Sequence, residues 1–153
     1  MRIVFVCWGN ICRSPIAERV AQSMAAAKGL TDLEFTSAAT SREELGQSMD
    51  RRAQQVLREA GYRADGHRVH QITAAEIEDA HLVVGMEQLH LNLMRRIAPG
   101  ADNLALITDF DPEAVPGSGI DDPWYGPASG FVVTLHQVER AVAGLLASDA
   151  LQD

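Results

Sequence analysis

Hydrophobic and polar positions follow two patterns along the chain. Short apolar runs rich in β-branched residues predict buried strands at 2–6, 33–38, 80–86 and 104–107. Longer stretches, with apolar residues recurring every three or four positions, predict helices at 15–28, 50–60, 87–98 and 131–146, and a short one at 74–79. Because strand and helix alternate, the pattern is typical of a parallel sheet that helices cover on both faces.

This alternation predicts an α/β fold, a flavodoxin-like three-layer sandwich, with 1–153 as a single domain. The sheet would have about four parallel strands in the order 2-1-3-4, and ligands would bind beyond the carboxyl end of the first strand. The segment 108–129 is rich in Pro, Gly and Asp and lacks periodicity, which indicates a functional loop. The tail at 147–153 is expected to fray.

The candidate chemistry directly follows the first predicted strand. The stretch reads Cys7-Trp8-Gly9-Asn10-Ile11-Cys12-Arg13-Ser14-Pro15, with five residues between the thiol and the guanidinium. A loop of this length can turn its backbone N–H groups inward, and the helix that follows adds its own free N–H groups and the positive end of its dipole. Such a cradle binds phosphate, favours the thiolate of Cys7 and lets Arg13 bind two phosphoryl oxygens. The stretch therefore predicts a phosphate-ester site in which sulfur attacks phosphorus.

The spacing alone is a weak signal. A Cys and an Arg so spaced often occur by chance, and a lone cysteine is more often a small buried hydrophobe. The context strengthens the signal, because an apolar strand precedes the loop, Gly9 lies inside it, and Pro15 falls in the first turn of the helix, where its missing N–H is not needed. We therefore favour phosphate chemistry over coincidence.

Composition narrows the classes of function. Apolar residues make up 46% of the chain and charged residues 22%, which is ordinary for a globular protein. A net charge of −8 argues against a nucleic-acid-binding surface, and no apolar run is long enough for a signal peptide or a membrane span. Cys7 and Cys12 suit the reducing cytoplasm rather than a disulfide framework. The histidines are scattered without ligand spacing, so we expect no metal and no cofactor.

A second candidate group lies inside the predicted functional loop. Asp122 is followed by Pro123, which stiffens the chain, and by Trp124 and Tyr125, which supply flat apolar surfaces. A carboxyl between such surfaces and a bound phosphate favours its protonated form, and it can act as general acid for the leaving oxygen. Asp121 is the rival for this role. An ordinary turn is the simpler interpretation of this segment on its own, and it is less favoured beside the cysteine loop.

With these two motifs the chain resembles low-molecular-weight protein tyrosine phosphatases. That family carries a Cys-x-Gly-Asn-Ile-Cys-Arg-Ser-Pro loop near its N-terminus, which 7–15 match at every fixed position, and an Asp-Pro-aromatic-Tyr-Gly loop near its C-terminus, which 122–126 match. The resemblance covers essentially the whole chain. It implies hydrolysis of phosphotyrosyl proteins or small aryl phosphate monoesters through a phosphocysteine intermediate, with phosphate or vanadate as inhibitors. A monomer in the cytoplasm is expected.

The resemblance also implies roles for individual positions. Cys7 would be the nucleophile, and Arg13 would hold the equatorial phosphoryl oxygens. Asp122 would protonate the leaving tyrosyl oxygen and then take a proton from the attacking water. The phosphate-binding loop would consist of Trp8, Gly9, Asn10, Ile11, Cys12 and Arg13.

Further positions would support the nucleophile by the same resemblance. Ser14 would hydrogen-bond its sulfur, and Asn10 would hold the loop in shape through ties to Ser37 and His67. Cys12 would trap the oxidised nucleophile as a reversible disulfide. Simpler interpretations stay open, with Ser14 as a helix cap, His67 as an ordinary loop histidine and Cys12 as a packing residue.

The chain departs from the family pattern at a few positions. Trp8 is unusually bulky, and with Trp124 and Tyr125 it could form an aromatic slot for a phosphotyrosine ring, at the risk of narrowing the entrance. Glu87 follows the third predicted strand, where the family often has Asp. The loop 41–45 has no aromatic residue where some relatives place one, so the substrate contacts of that loop differ.

Three other functions share parts of this pattern. A thioredoxin-coupled arsenate reductase has a similar loop but needs further cysteines downstream, and none follows Cys12. A protein arginine phosphatase looks similar but carries Thr where this chain has Ile11, and an apolar side chain there favours a tyrosyl ring over a guanidinium. A non-catalytic phosphate-binding module is the weakest alternative, because all the reactive groups are present.

Overall fold

Four parallel strands form the sheet of the computed structural model, which describes residues 1–152. The strands are β1 (Arg2–Cys7), β2 (Glu34–Ala39), β3 (Leu82–Gly85) and β4 (Leu104–Leu106). Their order is β2-β1-β3-β4, and each neighbouring pair is parallel. The predicted sheet and its strand order are therefore confirmed. The interior position of β1 explains its continuous apolar run, since such a strand is buried on both faces.

Helices cover both faces of this sheet. They are α1 (Arg13–Ala27), α2 (Arg51–Glu59), α3 (Ala74–Asp79), α4 (Gln88–Ile97) and α5 (Ser129–Leu146). Alternate side chains of β1 point to opposite faces. Ile3 and Phe5 join a core with α1, α2 and α5, whereas Val4 and Val6 join a second core with α3 and α4. The predicted three-layer sandwich is therefore confirmed.

Several ends of helices and strands differ from the prediction by a few residues. β3 begins at Leu82, later than predicted, because Ala80 is the C-cap of α3. The carbonyls of Ala80 and Ile77 accept hydrogen bonds from Asn103 Nδ2 at 2.9 and 2.8 Å, which holds this cap in place. α1 begins at Arg13, before the predicted start at 15, so the last residues of the cysteine loop are already helical.

The stretches on either side of α5 have more regular structure than predicted. Two short 3₁₀ helices, Ile107–Phe110 and Pro123–Tyr125, overlap the predicted functional loop. The expected fraying of the tail is wrong for 147–152, because Asp149–Leu151 forms a 3₁₀ turn and His81 Nε2 donates to Ala150 O at 2.9 Å. Residue 153 lies outside the described residues. Within the described chain, no helix combines the length and apolarity needed to cross a bilayer.

Candidate active site

The loop between β1 and α1 turns back toward the sulfur of Cys7. β1 ends at Cys7 and α1 begins at Arg13. The loop turns at Asn10, whose φ of +57° lies in the left-handed region, which Asn adopts more readily than most other residues. The Asn10 backbone N lies 3.2 Å from Cys7 Sγ and donates to it. The sulfur therefore lies against the loop, close to the N-terminus of α1, where negative charge is favoured.

Side chains of the loop continue this contact with the sulfur. Ser14 Oγ lies 2.9 Å from Cys7 Sγ, and Asn10 Nδ2 donates to Ser14 Oγ at 2.8 Å. Because Ser14 Oγ accepts this bond, its own hydrogen is available to the sulfur. All three residues are buried, and Asn10 Oδ1 has no hydrogen-bond partner among the described residues. The network can therefore stabilise negative charge on Cys7.

A histidine holds the loop from the side, while the predicted serine has a different partner. His67 Nε2 donates to Asn10 O at 2.7 Å, and burial lowers the pKa of His67, which favours the neutral ring. The predicted tie between Asn10 and Ser37 is wrong, because the Ser37 hydroxyl donates to Glu18 Oε1 at 2.9 Å. Ser37 lies on β2 and Glu18 on α1, so this bond joins helix to sheet. No motif in the sequence pointed to Glu18.

The guanidinium of Arg13 is buried and held by two acceptors on one side. The side chain is 2% exposed, and its Nη1 donates to Glu87 Oε2 at 2.6 Å and to Ile120 O at 2.8 Å. Its Nη2 lies 3.6 Å from Asp122 Oδ2. One side of the guanidinium is therefore held by the partly exposed Glu87 carboxylate and by a buried main-chain carbonyl, and the other faces the predicted acid. These contacts set the orientation in which Arg13 meets an anion.

A cleft above the loop brings the two predicted motifs together. Its lining combines both motifs with two glutamates of the 41–45 loop: Cys7, Trp8, Gly9, Ile11, Cys12, Arg13, Glu43, Glu44, Asp122, Trp124 and Tyr125. Asp122 Oδ1 accepts from Trp124 N at 3.0 Å, which caps the 3₁₀ helix and positions the carboxyl. The Trp124 and Tyr125 rings meet edge to face with centroids 5.1 Å apart. Asp121, the rival acid, is exposed.

Comparison with known proteins identifies the family. A family model described as "Low molecular weight phosphotyrosine protein phosphatase" matches residues 2–153. The chain belongs to this family. A low molecular weight protein-tyrosine-phosphatase of Streptomyces coelicolor is 40% identical over 153 residues, which cover 96% of this chain and 92% of the relative. Low molecular weight protein-tyrosine phosphatase A of Mycobacterium tuberculosis is 35% identical over 147 residues, covering 95% and 89% of the two chains.

Solved structures share the fold. A protein tyrosine phosphatase from Entamoeba histolytica, with Hepes in its active site, has a TM-score of 0.90 at 27% identity, covering 96% of this chain and 95% of that one. Vibrio vulnificus Wzb, in complex with benzylphosphonate, has a TM-score of 0.84 at 27% identity, covering 95% and 97%. The shared fold therefore extends over nearly the whole chain.

Sequence reasoning missed Glu87 and Ile120, the partners of Arg13 Nη1 in this phosphatase. Glu87 comes just after β3, which pairs with β1, and parallel strands end at the same edge of a sheet. The predicted strand order could therefore have placed Glu87 near the cysteine loop. The sequence analysis identifies Glu87 only as a departure from the family pattern. Ile120 gave no such signal, because it contributes a main-chain carbonyl that any residue could supply.

A buried histidine holds Glu87 in turn. Glu87 N donates to His90 Nδ1 at 3.0 Å, at the start of α4. Burial lowers the pKa of His90 to about 4, and the charge of Arg13 adds to this effect, so the ring is neutral and can accept the bond. Among residues 1–152, no group of three or more His, Cys, Asp or Glu side chains is placed to hold a metal ion.

The second cysteine of the phosphatase loop lies in the same cleft. Cys7 and Cys12 are both buried, free thiols. Burial raises the pKa of Cys12, and the Asp50 carboxylate adds to this effect, so its protonated form is favoured. The environment of Cys12 therefore opposes a charge, while the contacts of Cys7 with Asn10 N and Ser14 Oγ can stabilise one.

Proposed function

We propose that this phosphatase hydrolyses phosphotyrosyl and small aryl phosphate monoesters through a phosphocysteine intermediate. One observation carries the proposal: Cys7 Sγ lies within hydrogen-bond distance of a loop amide and a serine hydroxyl, in a cleft that Arg13 and Asp122 also line. This arrangement surrounds one phosphoryl group with a nucleophile, a cation and an acid. The names of its relatives, as protein-tyrosine phosphatases, support the same substrate class.

The reaction has two steps. In the first, the Cys7 thiolate attacks phosphorus and the P–O bond to the aryl oxygen breaks, while Asp122 gives its proton to that oxygen. In the second, water attacks the phosphocysteine, Asp122 takes a proton from this water, and the S–P bond breaks to release phosphate and the thiolate. Arg13 and the loop amides bind the phosphoryl oxygens in both steps.

Neighbouring residues position the nucleophile. Ser14 donates to the sulfur and helps it to leave in the second step, when negative charge returns to it. Asn10 orients Ser14, and His67 holds the Asn10 carbonyl. Ser37 acts indirectly, because its hydroxyl donates to Glu18 and so supports α1.

Apolar walls of the cleft select the ester. Trp8, Trp124 and Tyr125 line the cleft together with Ile11, and they offer flat surfaces for an aromatic ring. Such walls suit phosphotyrosine better than a guanidinium, which needs polar partners. Phosphate and vanadate resemble the phosphoryl group, so both bind the loop and compete with the substrate.

The second cysteine protects the first. When peroxide oxidises Cys7 to a sulfenic acid, the Cys12 thiol displaces water from it and forms a disulfide, which cellular thiols then reduce. Two free thiols suit a reducing compartment, so we place the enzyme in the cytoplasm. We expect it to act as a monomer with one domain over 1–153.

Parallel assays of one purified preparation test this function. Phosphate release from a phosphotyrosyl peptide and from a phosphoarginyl peptide is measured beside thioredoxin-coupled reduction of arsenate. We expect phosphate release from the phosphotyrosyl peptide to dominate and vanadate to inhibit it. A preparation that turned over only arsenate, or that preferred the phosphoarginyl peptide, would contradict the proposal.

A further inference from the structure

Acidic side chains surround the entrance of the cleft. Glu43 and Glu44 line it, whereas Arg13 supplies a positive side chain at its floor. The charge of Arg13 already faces the Glu87 carboxylate at 2.6 Å. Neither Glu43 nor Glu44 forms an ion pair with a described residue. The entrance therefore presents negative charge to a substrate whose phosphoryl group is itself an anion.

The segment that carries these two glutamates is fixed at both ends. Ser41 N and Oγ donate to Trp8 O at 3.0 and 2.8 Å, which ties the segment to the phosphate-binding loop. At its other end, Gly46 N donates to Val69 O at 3.0 Å. The backbone that carries both glutamates is therefore held at the entrance.

Glu44 lies beside the phosphate-binding loop. A Cβ added to Gly9 would lie 3.6 Å from Glu44 Cγ. Arg52 is paired with Asp50 at 3.1 Å, and the exposed Arg42 offsets at most one of the two carboxylates. A substrate that brings its own cation would therefore find an uncompensated carboxylate beside the site of its phosphoryl group.

We propose that Glu43 and Glu44 make this cleft select phosphotyrosyl peptides that carry Lys or Arg next to the phosphotyrosine. This inference rests on the proposed function. A neighbouring cation pairs with the glutamates and offsets the repulsion that the phosphoryl group meets, whereas a neighbouring carboxylate adds to that repulsion. Salt screens exposed charges over about 8 Å at physiological ionic strength, so the selection acts on residues adjacent to the phosphotyrosine.

A matched series of short peptides tests the proposal. The peptides differ only in the residues before and after phosphotyrosine, which are both Lys, both Gln or both Glu. For the wild-type enzyme at low salt, we expect kcat/KM for the Lys peptide to exceed that for the Glu peptide by about tenfold, a ratio that falls as salt is added. In the Glu43→Gln/Glu44→Gln variant, we expect the ratio at low salt to approach that of wild type at high salt.

A second double variant controls for overall charge. Glu78→Gln with Asp102→Asn removes the same charge from a groove beside the amino ends of β3 and β4, at the opposite edge of the sheet from the cleft. We expect this control to keep the preference for the Lys peptide. If the control variant lost the preference for the Lys peptide, the preference would follow from net charge, and the proposal would be overturned.

Two further results separate the possible failures. Equal kcat/KM for all three peptides in wild type, with the Gln peptide hydrolysed well, would overturn the selectivity and leave the proposed function standing. No hydrolysis of any phosphotyrosyl peptide would overturn both. Circular dichroism checks that the glutamate variants are folded. If the double variant does not fold, the single Glu43→Gln variant, which changes an exposed residue, is used to repeat the test.

Discussion

The floor and the entrance of the cleft are built in different ways. The floor consists of buried side chains that hydrogen-bond one another or the protein interior: Cys7, Asn10, Arg13 and Ser14. The entrance consists of side chains that are wholly or partly open to solvent: Trp8, Glu43, Glu44, Trp124 and Tyr125. Among the aromatic side chains of the entrance, exposure rises from 38% for Trp8 to 83% for Tyr125, whereas Arg13 at the floor is 2% exposed.

This difference follows from the cost of burying polar groups. A buried donor or acceptor that loses its partner costs about 1–3 kcal/mol, so each residue of the floor constrains the others. Side chains at the entrance exchange contacts with water and carry no such constraint. Changes at the floor should therefore affect turnover and stability together, whereas changes at the entrance should alter the choice of substrate and leave the fold intact.

The largest expected effect is at the nucleophile. A serine hydroxyl is a far weaker nucleophile than a thiolate, so we expect Cys7→Ser to lower kcat by at least about 10⁴-fold. The floor keeps its other donors, so calorimetry should still detect vanadate binding. Hydrolysis by this variant at a rate near that of wild type would remove Cys7 as the nucleophile.

The acid should have a smaller effect that depends on the leaving group. We expect Asp122→Ala to lose about 10²- to 10³-fold in kcat on phosphotyrosine and much less on an ester of a strongly acidic phenol, which needs little protonation. Asp122→Asn is the matched control, because its side-chain oxygen can still accept from Trp124 N while it offers no acidic proton. Equal losses on both esters would exclude Asp122, and Asp121→Ala would be tested next.

Asn10 tests whether turnover and stability change together at the floor. Asn10→Ala removes the bond to Ser14 and places Ala at a φ of +57°, so we expect the free energy of unfolding to fall by about 2–4 kcal/mol and kcat by about tenfold or more. Asn10→Gly also removes the bond but tolerates this backbone. We expect it to regain about 1 kcal/mol in urea unfolding while kcat stays low. Recovery of kcat in the Gly variant would assign the role of Asn10 to its backbone alone.

Trp8 tests the entrance and should have the smallest effect. We expect Trp8→Ala to raise KM for an aryl phosphate about three- to tenfold, through lost contact with the ring, with little change in kcat or in the unfolding midpoint. Leu30→Ala is a matched control, since Leu30 is also 38% exposed but lies in a groove beside the far end of α1. A fall in kcat with unchanged KM would show that Trp8 affects turnover, as the floor residues do, and not substrate binding.

Much of the fold could be predicted from local pattern. The apolar run of β1, Gly9 in the loop and Pro15 in the first turn of α1 are local signals, and strand–helix alternation then set the strand order. The contacts of Arg13 with Glu87 and of Ser37 with Glu18 could not be read in the same way. Each joins residues from different elements, and the packing of whole helices and strands decides which side chains meet.

The C-terminal tail is a second case in which local sequence pattern does not predict a contact. Short polar ends usually fray, and the residues after α5 have no long apolar stripe to indicate otherwise. Their 3₁₀ turn is held by His81, which lies far away in sequence just before β3. Nothing in the local composition of either segment could have revealed that bond.

The two hydrogen bonds of Arg13 Nη1 make this side chain part of the packing of the fold as well as of the site. A mutation that removes this guanidinium also strips Glu87 and the Ile120 carbonyl of a shared donor. An inactive descendant that keeps a phosphate-binding surface is therefore more readily reached by losing the sulfur than by losing the arginine. Pseudoenzymes derived from this scaffold should retain Arg13 long after Cys7 has been replaced.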